Sequence, residues 1–142
     1  MDDPFELKRF ADAQSGEYEN VLEELRAGRK RSHWIWFIFP QLKGLGRSSA
    51  SEYYGIGSLE EAAAYLRHPV LGPRLRECTM LVNGVEGRAI GEILGFPDEL
   101  KFRSSMTLFR RAGEDNAVFA AALEKHFGGE PDKWTLELLR VT

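Results

Sequence analysis

Side chains that could bind a planar, anionic ligand are concentrated between residues 32 and 54, which read SHWIWFIFPQLKGLGRSSASEYY. The aromatic faces of Trp34, Trp36 and Tyr53 could stack on a nucleobase or another planar ring. Core packing is the alternative for the two tryptophans, although a buried indole N–H then needs an acceptor. We therefore expect this segment to hold part of a binding site.

The loop that follows the aromatic run has the composition of an anion-binding turn. Gly44 and Gly46 give the backbone conformational freedom, and Ser49 stands where a helix is expected to begin. A helix N-terminus presents free backbone N–H groups to an anion, and Arg47 would add positive charge. Gln41 could fix the orientation of the ligand. The spacing of a phosphate-binding P-loop is absent, so a plain structural turn is the alternative.

A second polar block, KFRSSMT, occupies residues 101–107. Lys101 and Arg103 could pair with a phosphate or carboxylate, and Ser104 and Ser105 could donate hydrogen bonds to it. Small hydroxyl residues are mediocre helix formers, so their presence inside a predicted helix invites a functional explanation. The alternative is a solvated helix face with core hydroxyls that bond back to their own helix. Only the fold can show whether this block meets the aromatic segment.

Acid–base chemistry in such a site would fall to His33 or Asp12. His33 lies between a basic run and the aromatic residues, and imidazole titrates near neutral pH. Asp12 lies near the end of the first predicted helix and could reach a pocket. A structural role is the alternative for His33. No H-E-x-x-H or G-x-S-x-G motif is present, and no two histidines have metal-ligand spacing, so neither a metal nor a cofactor is predicted.

The composition of the 142 residues, 43% hydrophobic and 29% charged, is typical of a single globular domain over residues 1–142. The net charge of -3 makes a nucleic-acid partner an unfavoured interpretation. The single cysteine, Cys78, excludes an internal disulfide. No apolar run reaches the ~18–20 residues that span a bilayer, and the N-terminus does not resemble a signal peptide. A cytoplasmic protein without a membrane partner is predicted, and its oligomeric state is left open.

Hydrophobic periodicity and helix caps predict a compact all-α domain of about seven to nine short helices. Two Ser-x-x-Glu patterns, at Ser49 and at Ser58, are typical of capping boxes. The run WIWFIF is apolar on both faces, so periodicity alone does not separate helix from strand; its helical neighbours favour a short buried helix that ends at Pro40. The other predicted helices cover residues 5–13, 17–27, 58–67, 71–83, 89–94, 97–111, 115–127 and 131–139.

Three blocks, SHWIWFIFPQLKGLGRSSASEYYGI, YLRHPVLGPRLRE and FPDELKFRSSMTLF, together resemble the domain-of-unknown-function family eighteen-ten, whose members are sometimes labelled calpastatin. The resemblance extends from RFADAQ near the N-terminus to TLELL near the C-terminus. It implies a compact, mostly helical domain and carries no catalytic assignment. In general character the chain is also similar to small helical proteins of the NADAR type, which are associated with NAD and ADP-ribose chemistry.

These observations favour a cytoplasmic helical domain that binds a small anionic ligand, such as a nucleotide or an ADP-ribose derivative. Hydrolysis of that ligand is left open, because no complete catalytic motif occurs. The alternative is a protein-interaction module without catalytic activity. A concave pocket lined by Gln41, Tyr53, Arg103 and Ser104 would favour ligand binding, whereas a contiguous exposed apolar patch would favour the interaction module.

Overall fold

The computed structural model describes residues 2–140, and in this range the chain forms ten helices and no β-strand. An isolated parallel bridge joins Leu42 to Ile56. The predicted compact all-α fold is confirmed, and seven of the ten helices are at least seven residues long. The helices are α1 (Lys8–Gln14), α2 (Tyr18–Arg26), α3 (Ile35–Ile38), α4 (Ser49–Tyr53), α5 (Leu59–Arg67), α6 (Leu71–Asn83), α7 (Ile90–Leu94), α8 (Asp98–Arg110), α9 (Ala117–Phe127) and α10 (Lys133–Arg140).

Helix α8 is the central element, because it packs against α3, α5, α7, α9 and α10. Phe102, Met106 and Phe109, which share one face of α8, are fully buried. All six consecutive residues from 104 to 109 are buried as well, which leaves this part of the helix without a solvated face. The hydroxyl-bearing residues of α8 therefore lie inside the protein because neighbouring helices surround them.

The helix caps show how local sequence sets the element boundaries. Helix α5 begins as predicted, with the Ser58 side chain accepting a hydrogen bond from the backbone N–H of Glu61 at 3.1 Å. Helix α4 is capped one residue earlier than the predicted Ser49, because Ser48 has the extended backbone of a cap residue and accepts from the N–H of Ser51. Ser49 is therefore the first helical residue of α4.

Arg9 on α1 joins three separate parts of the chain. Its guanidinium donates to the carbonyl oxygens of Phe5, Tyr53 and Gly55 at 2.6, 2.7 and 3.0 Å. It also forms a largely buried ion pair with Glu61 at 2.7 Å. A planar guanidinium can hold several acceptors at fixed angles, so Arg9 ties the N-terminus and the segment after α4 to the start of α5.

The carboxylate of Glu24 on α2 holds the segment that leads into α3. It accepts hydrogen bonds from the backbone N–H groups of Arg31 and Ser32 at 2.6 and 3.0 Å. It also accepts from the Ser32 hydroxyl at 2.6 Å, the Asn20 amide at 2.8 Å and the Trp34 indole N–H at 3.0 Å. Glu24 is only 8% exposed, so these five donors replace most of the water that a charged carboxylate would otherwise bind.

The hydrogen bonds decide the charge state of Glu24. Desolvation by burial raises the pKa of this carboxyl, but the hydrogen bonds from Ser32, Arg31 and Trp34 outweigh it and lower the pKa from 4.5 to about 2. The group is therefore ionised at neutral pH although no cation is paired with it among residues 2–140. A carboxylate that accepts several hydrogen bonds is known to behave in this way.

Within residues 2–140, none of the helices combines the length and the apolar character that crossing a bilayer requires.

Replacing Glu24 with glutamine should destabilise the fold strongly. The amide group would turn an N–H₂ towards donors that now face an oxygen, so we expect the free energy of unfolding in urea to fall by about 2–4 kcal/mol. Glu23→Gln is the matched control, because Glu23 is the exposed preceding residue of the same helix. That variant should change stability by no more than about 0.5 kcal/mol. Equal effects of the two substitutions would contradict the role given to Glu24.

The same carboxylate should contribute a pH-dependent part of the stability. Because the folded pKa lies below the ordinary value of 4.5, the contribution is complete above that pH and is lost as the pH falls towards 2. Urea unfolding of the wild type and of Glu24→Gln across this range gives the difference between their free energies of unfolding. We expect the difference to shrink steadily on acidification, and a constant difference would contradict the assignment.

Candidate functional site

The aromatic segment divides into buried and partly exposed residues. Trp34 is 1% exposed, and the acceptor that its buried indole needs is the Glu24 carboxylate. Only Ile35–Ile38 is helical, which makes α3 a single turn. Its isoleucines are buried, whereas Trp36 and Phe37 are half-buried. The side chains of α3 that remain accessible to a ligand are therefore Trp36 and Phe37.

A groove with a volume of about 490 Å³ opens beside Phe37, and we call it the His33 groove. It lies where the end of α1, the start of α2, the segment held by Glu24, α3 and the end of α4 come together. Its volume falls within the range of about 300–1,000 Å³ that is common for small-ligand sites. The lining residues are Ala13, Glu17, Ser32, His33, Trp34, Phe37 and Tyr54.

Two half-buried rings form the aromatic wall of the His33 groove. The ring centroids of Phe37 and Tyr54 are 5.7 Å apart at an interplanar angle of 51°. Phe10 and Tyr53 support Tyr54 from other sides, at centroid distances of 5.8 and 4.8 Å. Burial raises the pKa of the Tyr54 phenol, so the hydroxyl stays protonated at neutral pH and can donate a hydrogen bond.

Two unpaired ionisable side chains face this aromatic wall. His33 and Glu17 are exposed, and in the part of the chain that the structure describes neither side chain forms a hydrogen bond or an ion pair. The imidazole can donate or accept a hydrogen bond, and the carboxylate can accept hydrogen bonds. The groove thus combines two aromatic faces with groups that recognise polar atoms of a ligand. The other proposed acid–base residue, Asp12, lies outside this groove and pairs with Lys8 at 2.7 Å.

Tyr53 lines a different groove of about 360 Å³, which we call the Tyr53 groove, together with Lys43, Arg9, Glu52 and Glu61. Tyr53 is 59% exposed and supplies one face of this shallow surface. Three glutamates, the third being Glu6, line it against the cations of Lys43 and Arg9. Because Arg9 is already bound to carbonyl and carboxylate oxygens, this groove offers little unpaired positive charge to an anion.

The segment that contains Gly44 and Gly46 holds three further candidate residues, Gln41, Arg47 and Ser49, and all three lie outside both grooves. Gln41 is buried, and its backbone carbonyl accepts from the N–H of Ile56 at 3.0 Å, beside the isolated bridge. Arg47 and Ser49 are exposed, and their side chains contact no hydrogen-bonding partner among residues 2–140. None of the three lines the His33 groove or the Tyr53 groove.

The block at residues 101–107 meets the aromatic segment through Lys101 and through Phe102, whose ring packs edge-on against Phe39 at a centroid distance of 4.8 Å. The Lys101 ammonium lies 4.1 Å from the centroid of the Trp36 ring and 3.2 Å from an oxygen of Asp98. The other Asp98 oxygen pairs with Lys30 at 2.8 Å, and Lys30 also lies over the Trp34 ring at 5.1 Å. Asp98 therefore bridges two ammonium groups, each of which contacts one tryptophan.

The other predicted residues of α8 face different surroundings. Arg103 donates to the carbonyl of Glu130 at 2.9 Å and lies over the ring of Phe127. Ser104 is buried and donates back to the carbonyl of Leu100 at 3.1 Å. The Ser105 hydroxyl is buried without a hydrogen-bond partner in the described part of the chain. No residue from 101–107 lines either groove described above.

Sequence reasoning missed the residue that positions the groove, although a signal was present. Glu24 lies three residues after Val21 and directly before Leu25, on the edge of the apolar face of α2. A carboxylate at that position needs hydrogen-bond donors when it is buried, and the buried Trp34 N–H needs an acceptor. Each group could therefore supply what the other lacks. Glu17 and Phe37 had no comparable signal, because only the packing of α1, α2 and α3 brings them to one surface.

The comparisons with known proteins identify relatives of unknown function. The family described as "Protein of unknown function (DUF1810)" matches residues 4–139, so the resemblance found in the sequence is confirmed. A crystal structure of the conserved hypothetical protein Rv1873 from Mycobacterium tuberculosis is similar to this chain at 62% sequence identity, with a TM-score of 0.97 over 99% of this chain and 100% of that one. No curated protein matches the chain. The chain therefore belongs to the DUF1810 family of proteins of unknown function.

Proposed function

We propose that this domain binds a small planar ligand of the nucleotide or ADP-ribose class in the His33 groove. The observation that carries the proposal is the convergence of two half-buried rings, Phe37 and Tyr54, with an unpaired imidazole and an unpaired carboxylate. A base stacked on an aromatic side chain gains about 1–3 kcal/mol, and adjacent polar groups can read the edge of the ring. The ring of the ligand is thus assigned to the wall formed by Phe37 and Tyr54.

The charges around the groove support an orientation in which the anionic part of the ligand lies at one end. Glu17 would repel a phosphate inside the groove. Arg31 precedes the lining residues Ser32 and His33, is exposed, and has no side-chain partner among residues 2–140. The backbone of Arg31 is held by Glu24 at 2.6 Å, so the start of its side chain is fixed. A phosphate therefore lies towards Arg31, and the base lies towards Tyr54.

His33 is the acid–base group that this arrangement offers for hydrolysis. It would take a proton from an attacking water molecule and return it to the leaving oxygen of the ligand. Asp12 is paired with Lys8 at 2.7 Å and does not line the groove, so it is the weaker of the two candidates. Binding does not depend on this step, and the two activities can be measured separately.

A thermal-shift panel tests ligand binding directly. Adenosine monophosphate and ADP-ribose should raise the melting temperature, whereas ribose 5-phosphate, which lacks the planar ring, should not. A ligand at 100 times its Kd stabilises the fold by about 2.7 kcal/mol. Tyr54→Leu should weaken binding about tenfold by removing one stacking surface. If no planar ligand in the panel shifts the melting temperature, the proposal is wrong.

A pair of charge variants tests the orientation of the ligand. Glu17→Gln should strengthen binding of adenosine monophosphate and leave binding of uncharged adenosine nearly unchanged, because only the nucleotide feels the removed repulsion. Glu19→Gln is the control, since Glu19 is an exposed residue of the same helix that does not line the groove. If both variants changed the affinity for adenosine monophosphate equally, the proposed position of the phosphate would be wrong.

One observation favours the alternative, a protein-interaction module. Phe96 is 81% exposed and Leu100 is 47% exposed at the start of α8, where such large apolar side chains are unusual. If the ligand panel gives no shift, sedimentation over a concentration series should show association of the wild type that Phe96→Ser removes. Identical behaviour of the two proteins would remove the support for this alternative.

A further inference from the structure

A third groove, with a volume of about 640 Å³, lies along α10, and we call it the α10 groove. It is formed where α10 passes the first residue of α5 and the C-terminal end of α8. None of its lining residues belongs to the His33 groove or was singled out by the sequence. Leu59, Leu136 and Leu139 supply its apolar part, and Arg111, Lys133, Arg140 and Glu137 supply its polar part.

The wall of the α10 groove is anchored to the central helix. Asp132 accepts hydrogen bonds from the backbone N–H and the hydroxyl of Thr135 at 2.9 and 2.6 Å, which caps the start of α10. The backbone N–H of Asp132 in turn donates to the Thr107 hydroxyl of α8 at 2.8 Å. Thr135 and Thr107 are both buried. The groove is therefore held in place by the packing of the protein and needs no ligand to form it.

The charges in the α10 groove are unbalanced. Arg111 and Lys133 form no ion pair with any residue between 2 and 140, while Arg140 has an exposed pair with Glu137 at 3.6 Å. Among the described residues that line the groove, three cations thus stand against one carboxylate. Lys133 is also the first residue of α10, where the helix dipole disfavours a positive charge. The Lys133 ammonium lies 5.4 Å from the centroid of the Trp134 ring, and no carboxylate of residues 2–140 is paired with it.

We infer that the α10 groove binds a small amphiphile with one anionic head and an unbranched apolar chain, such as a medium-chain carboxylic acid. The apolar chain of the ligand lies on Leu59 and Leu136. Its carboxylate lies between Arg111 and Lys133, which can donate charge-assisted hydrogen bonds to it. No aromatic side chain lines the groove, so it does not suit a stacked base. The inference is independent of the function proposed for the His33 groove.

Calorimetric titration of the full chain with decanoate and with 1-decanol, both below their aggregation concentrations, tests the assignment. The two probes share their apolar chain and differ in charge. We expect decanoate to bind about tenfold more tightly than the alcohol, equivalent to one modest charge interaction. Equal affinities, or no binding of decanoate, would overturn the inference. A peptide with a C-terminal leucine that binds more tightly than decanoate would also overturn it, because the groove would then serve a protein partner.

A double variant locates the binding. Arg111→Gln with Lys133→Gln should abolish the preference for decanoate over decanol without lowering the melting temperature of the free protein, since both side chains are exposed. Arg110→Gln with Arg29→Gln is the control, because it removes two exposed cations that do not line the groove. Retention of the preference in the first variant, or its loss in the control, would overturn the inference. Tyr54→Leu should leave decanoate binding unchanged.

Discussion

The buried carboxylate of Glu24 is the constraint on which the accessible surface around α3 depends. A charge removed from water must be compensated, and here five hydrogen-bond donors on the same few residues provide the compensation. Because two of those donors are backbone N–H groups, the carboxylate fixes the course of the chain from Arg31 to Trp34. The indole of Trp34 and the turn of α3 that follows are placed by the same contacts.

The central position of α8 explains why its sequence breaks helix preferences. Residues 104–109 of this helix have no solvated side, so small hydroxyl residues there allow neighbours to approach, and Ser104 and Thr107 bond back to their own turn. Thr107 also accepts from the backbone before α10, which makes its hydroxyl part of the tertiary structure. Lys101, near the first turn of α8, instead reaches Trp36 and shares Asp98 with Lys30. Helix α8 therefore contributes buried residues to the core and also contacts α3 through Lys101.

The His33 groove and the α10 groove differ in the kind of ligand that each can accommodate. The first has aromatic walls, an imidazole and a carboxylate, whereas the second has leucines and a surplus of cations. Both are held by polar groups that bond backbone atoms, Glu24 in one and Asp132 with Thr107 in the other. Shape and charge therefore favour a planar ring in the first groove and an anionic amphiphile in the second, which makes the two proposals separable.

Local sequence was sufficient for most of the fold, because helix periodicity, caps and glycine stops depend on residues close together in the chain. The boundaries of α5 and α6 and the presence of a short helix in the WIWFIF run are examples. Even the cap of α4 was displaced by only one residue.

The candidate site was less accessible from sequence. The types of its aromatic residues and the need of Trp34 for an acceptor could be recognised, and the position of Glu24 on α2 was a signal for that acceptor that was missed. Glu17 and Phe37 had no signal as neighbours of His33. The sequence by itself determined the helices and the inventory of binding groups, since both follow from local chemistry. Which groups meet was decided only by the tertiary structure, because a contact between distant residues depends on how every intervening helix packs.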